Sequence, residues 1–283
     1  MLHAAPVSRD YSASTPARKR RLPAYARGDI EEANDPKDQT LLARLIASIC
    51  VFVTLAYAAA AEDRPVIAAA SDLQFALPEI VEAFTAQTGS GVRLIFGSTG
   101  NFARQIREGA PFEMFMAADE VYVQTLAADG FTQGEGALYG LGRLVLIRPI
   151  GWSSGQSSDA PFAIANPEHA PYGQRAREVL QNLHLWEVLQ PHLVLGENVS
   201  QAAQFALSGS TQGGLIAYSL ALSDAISSRG DFELIPAELH TPLRQRMVLL
   251  NGAGETAQAF YAYMNTPAAR KIMRRYGFVL PGE

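Results

Sequence analysis

The chain has 283 residues, of which 48% are hydrophobic and 18% are charged. This composition is sufficient for one or two packed lobes and excludes a chain that is disordered throughout. Residues 62–283 carry a net charge of −7, whereas a nucleic-acid-binding protein normally presents a basic face. We therefore expect no nucleic-acid partner, and any bound anion must be held by local donors.

Residues 1–40 are rich in Ser, Pro, Ala, Arg and Asp and show no hydrophobic periodicity. The basic run Arg18–Arg21 is typical of a nucleic-acid or targeting patch, but the low complexity favours a disordered leader or a start codon assigned too far upstream. Residues 41–61 combine a short apolar stretch with a run of four alanines, which is typical of a secretory signal and its cleavage site. We therefore predict export to the periplasm and a mature chain that begins at Ala61 or Glu62.

The single cysteine, Cys50, lies inside this apolar stretch, so the exported part contains none. Disulfides, thiol catalysis and cysteine metal sites are therefore excluded there. Ile49 precedes Cys50 where a lipoprotein signal has a small residue, so we expect no lipid attachment.

From residue 64 onward, short apolar runs alternate with stretches of helical periodicity. We predict strands at residues 66–70, 92–96, 112–117, 144–147, 162–165, 215–217, 232–235 and 247–250. We predict helices at residues 77–84, 102–106, 121–126, 173–183, 201–207, 255–265 and 267–276, with Ser200 as the N-cap of the fifth. The repeated β-α-β order predicts an α/β fold with mostly parallel sheets flanked by helices.

Hydroxyl side chains follow two of the predicted strands, at the junctions with the next helices. Ser71 follows VIAAA, and Ser98 and Thr99 follow VRLIF. A helix N-terminus presents unpaired N–H groups and a partial positive charge, and such junctions lie at the carboxyl edge of an open sheet, where ligands bind. Each hydroxyl alone is consistent with a plain N-cap. If the two junctions converge, they predict an oxyanion site that needs no lysine.

Residues 151–155 read GWSSG and fit the G-x-S-x-G pattern of a nucleophile elbow around Ser153. That elbow requires a strand directly before it and a helix directly after it, whereas a polar loop follows here. The histidines after the leader show no metal-ligand spacing. A secreted serine hydrolase based on Ser153 and an adhesive module without a small ligand are the alternative classes.

Five segments and the C-terminal end strongly resemble the molybdate-binding proteins of bacterial ABC importers. They are VIAAASDLQFALPEIVEAF, FGSTGNFARQIREGAPFEMFMAADE, ANPEHAPYGQRAREVL, GENVSQAAQF, GLIAYSLALSDA and FYAYMNTPAARKIMRRYGF. The resemblance covers about residues 64–280, and the motifs occur in the order found in the family.

The resemblance implies a two-lobed periplasmic binding protein fold with a hinge between the lobes. Residues 64–145 plus 243–283 are then lobe one, and residues 146–242 are lobe two. It implies a carrier and not an enzyme, a monomer without cofactors, which captures molybdate and delivers it to a permease in the inner membrane. Tungstate has nearly the same size as molybdate, and no feature of the sequence separates the two.

In that family, serine-type hydroxyls, backbone N–H groups and one tyrosine hydroxyl hold the oxyanion without a charged side chain. The positions carried over are Ser71 and either Ser98 or Thr99 for the hydroxyls, Tyr172 and Val199 for the backbone N–H groups, and Tyr218 for the tyrosine hydroxyl. Three residues depart from the family pattern: Thr99 replaces serine, Glu113 replaces aspartate, and Tyr172 replaces a small residue. The bulk of Tyr172 is expected to narrow the entrance to the cleft.

Overall fold

The computed structural model describes residues 64–152 and 160–283. The predicted leader (1–40), the predicted signal region (41–61) and Ser153 lie outside these residues. Among the described residues, no helix is both long enough and apolar enough to cross a membrane.

The described residues form ten strands and ten α-helices, which alternate along most of the chain. The strands are β1 (Val66–Ala70), β2 (Arg93–Gly97), β3 (Met114–Ala117), β4 (Ala137–Gly142), β5 (Leu144–Pro149), β6 (Phe162–Ala165), β7 (Leu193–Gly196), β8 (Gly214–Ala217), β9 (Gly230–Leu234) and β10 (Leu243–Leu249). The helices are α1 (Ala76–Thr88), α2 (Thr99–Arg107), α3 (Glu120–Ala128), α4 (Pro171–Asn182), α5 (Trp186–Leu189), α6 (Val199–Ala206), α7 (Tyr218–Ala221), α8 (Asp224–Ser227), α9 (Glu255–Tyr263) and α10 (Pro267–Arg275).

The strands form two five-stranded sheets, in the orders β2-β1-β3-β10-β4 and β7-β6-β8-β5-β9. In the first sheet β10 pairs antiparallel with both neighbours, and in the second sheet β5 does the same. The other four strands of each sheet therefore run in one direction. We call the part built on the first sheet lobe one and the part built on the second sheet lobe two. The predicted two-lobed α/β fold with mostly parallel sheets is confirmed.

Each sheet has strands that are buried on both faces because helices cover both sides. All residues of β1 and β3 are buried in lobe one, and all residues of β6 and β8 are buried in lobe two. Continuous apolar runs such as VIAAA and FAIA are typical of strands in this environment. The carboxyl ends of β1 and β6 and of the edge strands β2 and β7 beside them carry the junctions at which the candidate site is built.

The chain passes between the two sheets at two places. Arg143 alone separates β4 from β5, and residues 235–242 connect β9 to β10. The lobe boundary predicted after residue 145 falls inside β5, whose first residue, Leu144, already pairs with Ala217 in the second sheet. The remaining domain limits stay a prediction.

The helix that the sequence predicted from residue 201 begins at Val199, and its N-cap is Asn198 instead of Ser200. The Asn198 side chain accepts hydrogen bonds from the N–H groups of Ser200 and Gln201. An asparagine side chain caps a helix as well as serine does. The Ser200 hydroxyl is therefore free for another contact, described below.

Candidate anion-binding site

A small cleft lies between the two lobes. Five of the six predicted site residues line it, and these are Ser71, Ser98, Thr99, Tyr172 and Val199. Among the described residues, no lysine, arginine or histidine lines this cleft. Any attraction for an anion must therefore come from neutral hydrogen-bond donors and from helix ends.

Three helices begin at the cleft wall: α2 from lobe one, and α4 and α6 from lobe two. Thr99 and Val199 are the first residues of α2 and α6, and Tyr172 is the second residue of α4. The first N–H groups of a helix have no partner within it, and no backbone carbonyl of the described residues accepts the N–H of Tyr172 or Val199. These N–H groups and the positive ends of three helix dipoles favour a bound anion.

The hydroxyls of Ser71 and Thr99 are both buried, and both act as acceptors for a backbone N–H group. The Ser71 oxygen accepts from Ser200 N–H at 3.3 Å, and the Thr99 oxygen accepts from Ala118 N–H at 3.0 Å. A hydroxyl that accepts in this way still has its own proton to donate. Ser71 and Thr99 therefore offer two O–H donors to the cleft from lobe one.

Ser98 differs from its neighbour Thr99 because its hydroxyl proton is already used. The Ser98 hydroxyl donates to the backbone carbonyl of His169 at 2.6 Å and lies 2.9 Å from the His169 Nδ1. This contact joins lobe one to lobe two beside the cleft. The geometry favours Thr99 as the donor to a ligand and Ser98 as a residue that holds the lobes together.

Tyr218 is the predicted site residue that does not line the cleft. Its ring packs edge-to-face on Phe232, with 5.8 Å between the ring centroids. The ring also lies against Gly277, where an added Cβ would come within 2.5 Å of it. The sequence does not fix the rotamer of Tyr218, and its role as a hydroxyl donor stays a prediction. The tyrosine hydroxyl found next to the cleft belongs to Tyr172.

Asp72 lines the cleft, and the sequence reasoning did not single it out. Its Oδ2 accepts from the Tyr172 hydroxyl at 3.0 Å and from Gln245 Nε2 at 2.7 Å, while its Oδ1 has no partner among the described residues. Burial raises the pKa of the Asp72 carboxyl to about 6, although the hydrogen bonds from Gln245 and Tyr172 lower it. Burial, with the nearby Asp72, also raises the pKa of Tyr172 well above its usual range. The position of Asp72 directly after Ser71 was the signal available in the sequence.

The two lobes contact each other on several sides of the cleft. The Ser200 hydroxyl of α6 donates to the Ser71 carbonyl at 2.8 Å, and Gly100 N–H donates to the His169 carbonyl at 2.9 Å. Arg175 of α4 forms a buried ion pair of 2.8 Å with Asp119, the N-cap of α3. The cleft is therefore enclosed by hydrogen bonds and an ion pair that join the two lobes.

Two α/β lobes that meet around a cleft lined by helix N-termini define a protein that encloses a small solute between its lobes. Residues 65–279 match the sequence model of the family described as bacterial extracellular solute-binding protein. The chain belongs to this family, whose members bind solutes for transport, so it is a binding protein and not an enzyme.

The relatives narrow this class further. The molybdate-binding protein of Rhodobacter capsulatus is 35% identical over 255 residues, which cover 85% of this chain and 97% of the relative. The molybdate-binding protein of Azotobacter vinelandii is 33% identical over 249 residues, which cover 84% of this chain and 98% of the relative. A solved structure of a periplasmic molybdate-binding protein from Azotobacter vinelandii matches with a TM-score of 0.71 and 30% identity, covering 77% of this chain and all of that one. The resemblance found in the sequence is confirmed.

Proposed function

We propose that this protein captures molybdate outside the cytoplasm and delivers it to the permease of an ABC importer. The observation that carries the proposal is the cleft itself, where neutral donors from both lobes surround a space that no lysine, arginine or histidine of the described residues lines. The names of the relatives in Rhodobacter capsulatus and Azotobacter vinelandii support molybdate as the anion. Export depends on the segment 41–61, which lies outside the described residues.

In the proposed complex, Ser71 and Thr99 donate their hydroxyl protons from lobe one, while Tyr172 and Val199 donate backbone N–H groups from lobe two. Hydrogen bonds to an ionised acceptor are roughly twice as strong as neutral ones, so four such donors can replace much of the water lost by the anion. A lysine binds almost any anion, whereas fixed dipoles accept only an ion of matching size and protonation state. This arrangement supports selectivity for a tetrahedral oxyanion.

Tungstate is a second proposed ligand. Molybdate and tungstate are dianions of nearly the same size, and the described residues that line the cleft include no group that distinguishes one metal from the other. Sulfate is smaller, so its oxygens cannot reach all the donors at once. We therefore expect molybdate and tungstate to bind with similar affinity and sulfate to bind much more weakly.

Binding and release are proposed to follow a hinge motion between the lobes. Arg143 and residues 235–242 are the connections that such a motion can bend. The anion first meets the donors of lobe one, and closure of lobe two completes the shell. The closed monomer then docks on a membrane permease, and opening there returns the anion to water and to the transport pathway.

The decisive experiment is isothermal titration of the purified chain with molybdate, tungstate, sulfate and phosphate under identical conditions. Tight binding of molybdate and tungstate, with dissociation constants at least about 100-fold below that of sulfate, supports the proposal. Equal affinity for all four anions would show that the cleft is a general anion site. No binding of any oxyanion would overturn the proposed function.

A further inference from the structure

Asp72 places a carboxyl group in the wall of a cleft that is otherwise built to receive an anion. The side chain is 1% exposed and directly follows the proposed hydroxyl donor Ser71. Both donors available to it, Tyr172 and Gln245, are directed at the same oxygen, Oδ2. Oδ1 is buried and has no partner among the described residues, so it is the oxygen that can carry a proton.

Among the described residues, no positive charge lies where it could hold Asp72 as a carboxylate. The titratable groups acting on it are Tyr172 of α4 and Tyr139 of β4, and both are neutral because burial raises their pKa well above the usual range. Three neutral side chains contact the Ser71–Leu73 turn: Ser200 of α6, Ser219 of α7 and Gln245 of β10. No lysine, arginine or histidine of the described residues contributes to the pKa of Asp72.

A dianion and an ionised Asp72 cannot share this cleft favourably. Two like charges that share a buried site raise the pKa of the titratable partner, because the charged form is disfavoured. Asp72 starts with a pKa of about 6 without any anion in place, so an entering dianion raises the pKa further. A protonated carboxyl group, in contrast, is itself a hydrogen-bond donor.

We propose that the protein takes up the oxyanion together with one proton, which resides on Oδ1 of Asp72 and is donated in a hydrogen bond to an oxygen of the anion. This inference rests on the proposed function and names one further donor for that site. The proton comes from the solvent on binding and returns to the solvent on release, so no bond within the anion is broken. The ligand class is a tetrahedral dianion without a proton of its own.

The proposal fixes the pH dependence of binding. The pKa of Asp72 is higher in the complex than its value of about 6 in the free protein, so the affinity is at its maximum below about pH 6. Above that pH the affinity falls about tenfold per pH unit, until the pKa of the complex is reached. Between pH 6 and pH 8 the dissociation constant therefore rises by up to about 100-fold.

The test is titration of the purified chain with sodium molybdate at about pH 7, the middle of this window, in two buffers that differ in heat of ionisation. The dependence of the observed heat on the buffer gives the number of protons taken up. We expect about one proton for the parent chain and about zero for Asp72→Asn. The asparagine amide retains a donor without needing a proton, so this variant should bind molybdate at pH 8 at least as tightly as the parent does.

Two further variants and one spectroscopic measurement make the outcome decisive. Asp129→Asn changes an exposed carboxylate paired with Arg107 and should leave proton uptake unchanged. His169→Gln removes the titratable group beside Ser98; if it abolishes proton uptake while Asp72→Asn retains it, the proposal is overturned. Infrared difference spectra of the parent should gain the band of a neutral carboxylic acid on binding. This measurement uses only the parent chain, so it does not depend on whether a variant folds.

The two proposals fail in distinguishable ways. Binding of molybdate without proton uptake and without the carboxylic acid band would refute the role of Asp72 and leave the proposed function intact. Absence of molybdate binding at both pH 6 and pH 8 would refute the proposed function.

Discussion

The close approach of the two lobes at Gly100 provides a direct test of closure around the ligand. A Cβ at this position would lie 2.5 Å from the carbonyl oxygen of His169 and 3.0 Å from its Cα. Optimal carbon contacts are about 3.5–4.0 Å, and the backbone of His169 cannot rotate away as a side chain could. In the Gly100→Ala variant, closure must therefore stop about 1 Å short on this side.

The expected loss of affinity follows from the contacts that such a gap would break. The His169 carbonyl accepts hydrogen bonds from Gly100 N–H at 2.9 Å and from the Ser98 hydroxyl at 2.6 Å. Each bond contributes about 0.5–1.5 kcal/mol net, so the closed state loses about 1–3 kcal/mol. If closure around the anion proceeds as proposed, its dissociation constant should rise by about 5- to 150-fold.

Titration calorimetry with molybdate measures this change, and small-angle scattering measures the accompanying geometry. The control is Gly254→Ala at the N-cap of α9, where an added Cβ meets only Glu113 Oε2 at an ordinary distance of 3.4 Å. Alanine favours a helix more than glycine does, so Gly100→Ala should not unfold α2. Parent-like affinity in Gly100→Ala, with the same ligand-induced decrease in radius of gyration, would refute the closure geometry described here.

Four other outcomes are expected. Ser71→Ala and Thr99→Val each remove a hydrogen bond to a charged acceptor, worth about 1.5–3 kcal/mol. Titration should therefore show a loss of affinity of roughly 10- to 150-fold. Ser98→Ala removes a neutral hydrogen bond between the lobes and should cost only about 2- to 12-fold; an equal loss at Ser98 and Thr99 would contradict their different assignments. Tyr218→Phe should bind as the parent does, because the ring packs on Phe232. A large loss of affinity would show instead that the Tyr218 hydroxyl donates to the anion. Molybdate at 100 times its dissociation constant should stabilise the fold by about 2.7 kcal/mol, raising the melting temperature by several degrees in calorimetry, whereas an equal rise with sulfate would contradict the proposed selectivity.

The parts of the fold that the sequence predicted are those governed by local patterns. Continuous apolar runs predicted β1, β6 and β8, because strands buried on both faces lack the alternation of apolar and polar residues seen in half-exposed strands. Ser71 directly follows the buried strand β1, and Thr99 follows Ser98 at the end of β2, so both were picked out by their positions at strand-to-helix junctions. These rules need only neighbouring residues, so one sequence is sufficient to apply them.

The missed features depend on residues far apart in the chain. Strand β4, with the sequence ALYGLG, contains two glycines and is fixed by pairing with β10, about a hundred residues later. The environment of Asp72 is set by Tyr172 and by Gln245, which are 100 and 173 residues away. Neither spacing nor composition contains that information. The orientation of the Tyr218 ring is set in the same way by distant residues, Phe232 and Gly277.

The absence of a fixed cation among the described residues of the cleft has a kinetic consequence. The net charge of −7 on residues 62–283 repels an approaching dianion, and dissolved salt screens this long-range field over about 10 Å at 0.1 M. The short hydrogen bonds inside the enclosed cleft are screened far less. Rising ionic strength should therefore accelerate capture and leave the escape rate nearly constant. For a site built around lysine or arginine, long-range attraction would weaken with salt instead, and capture would slow.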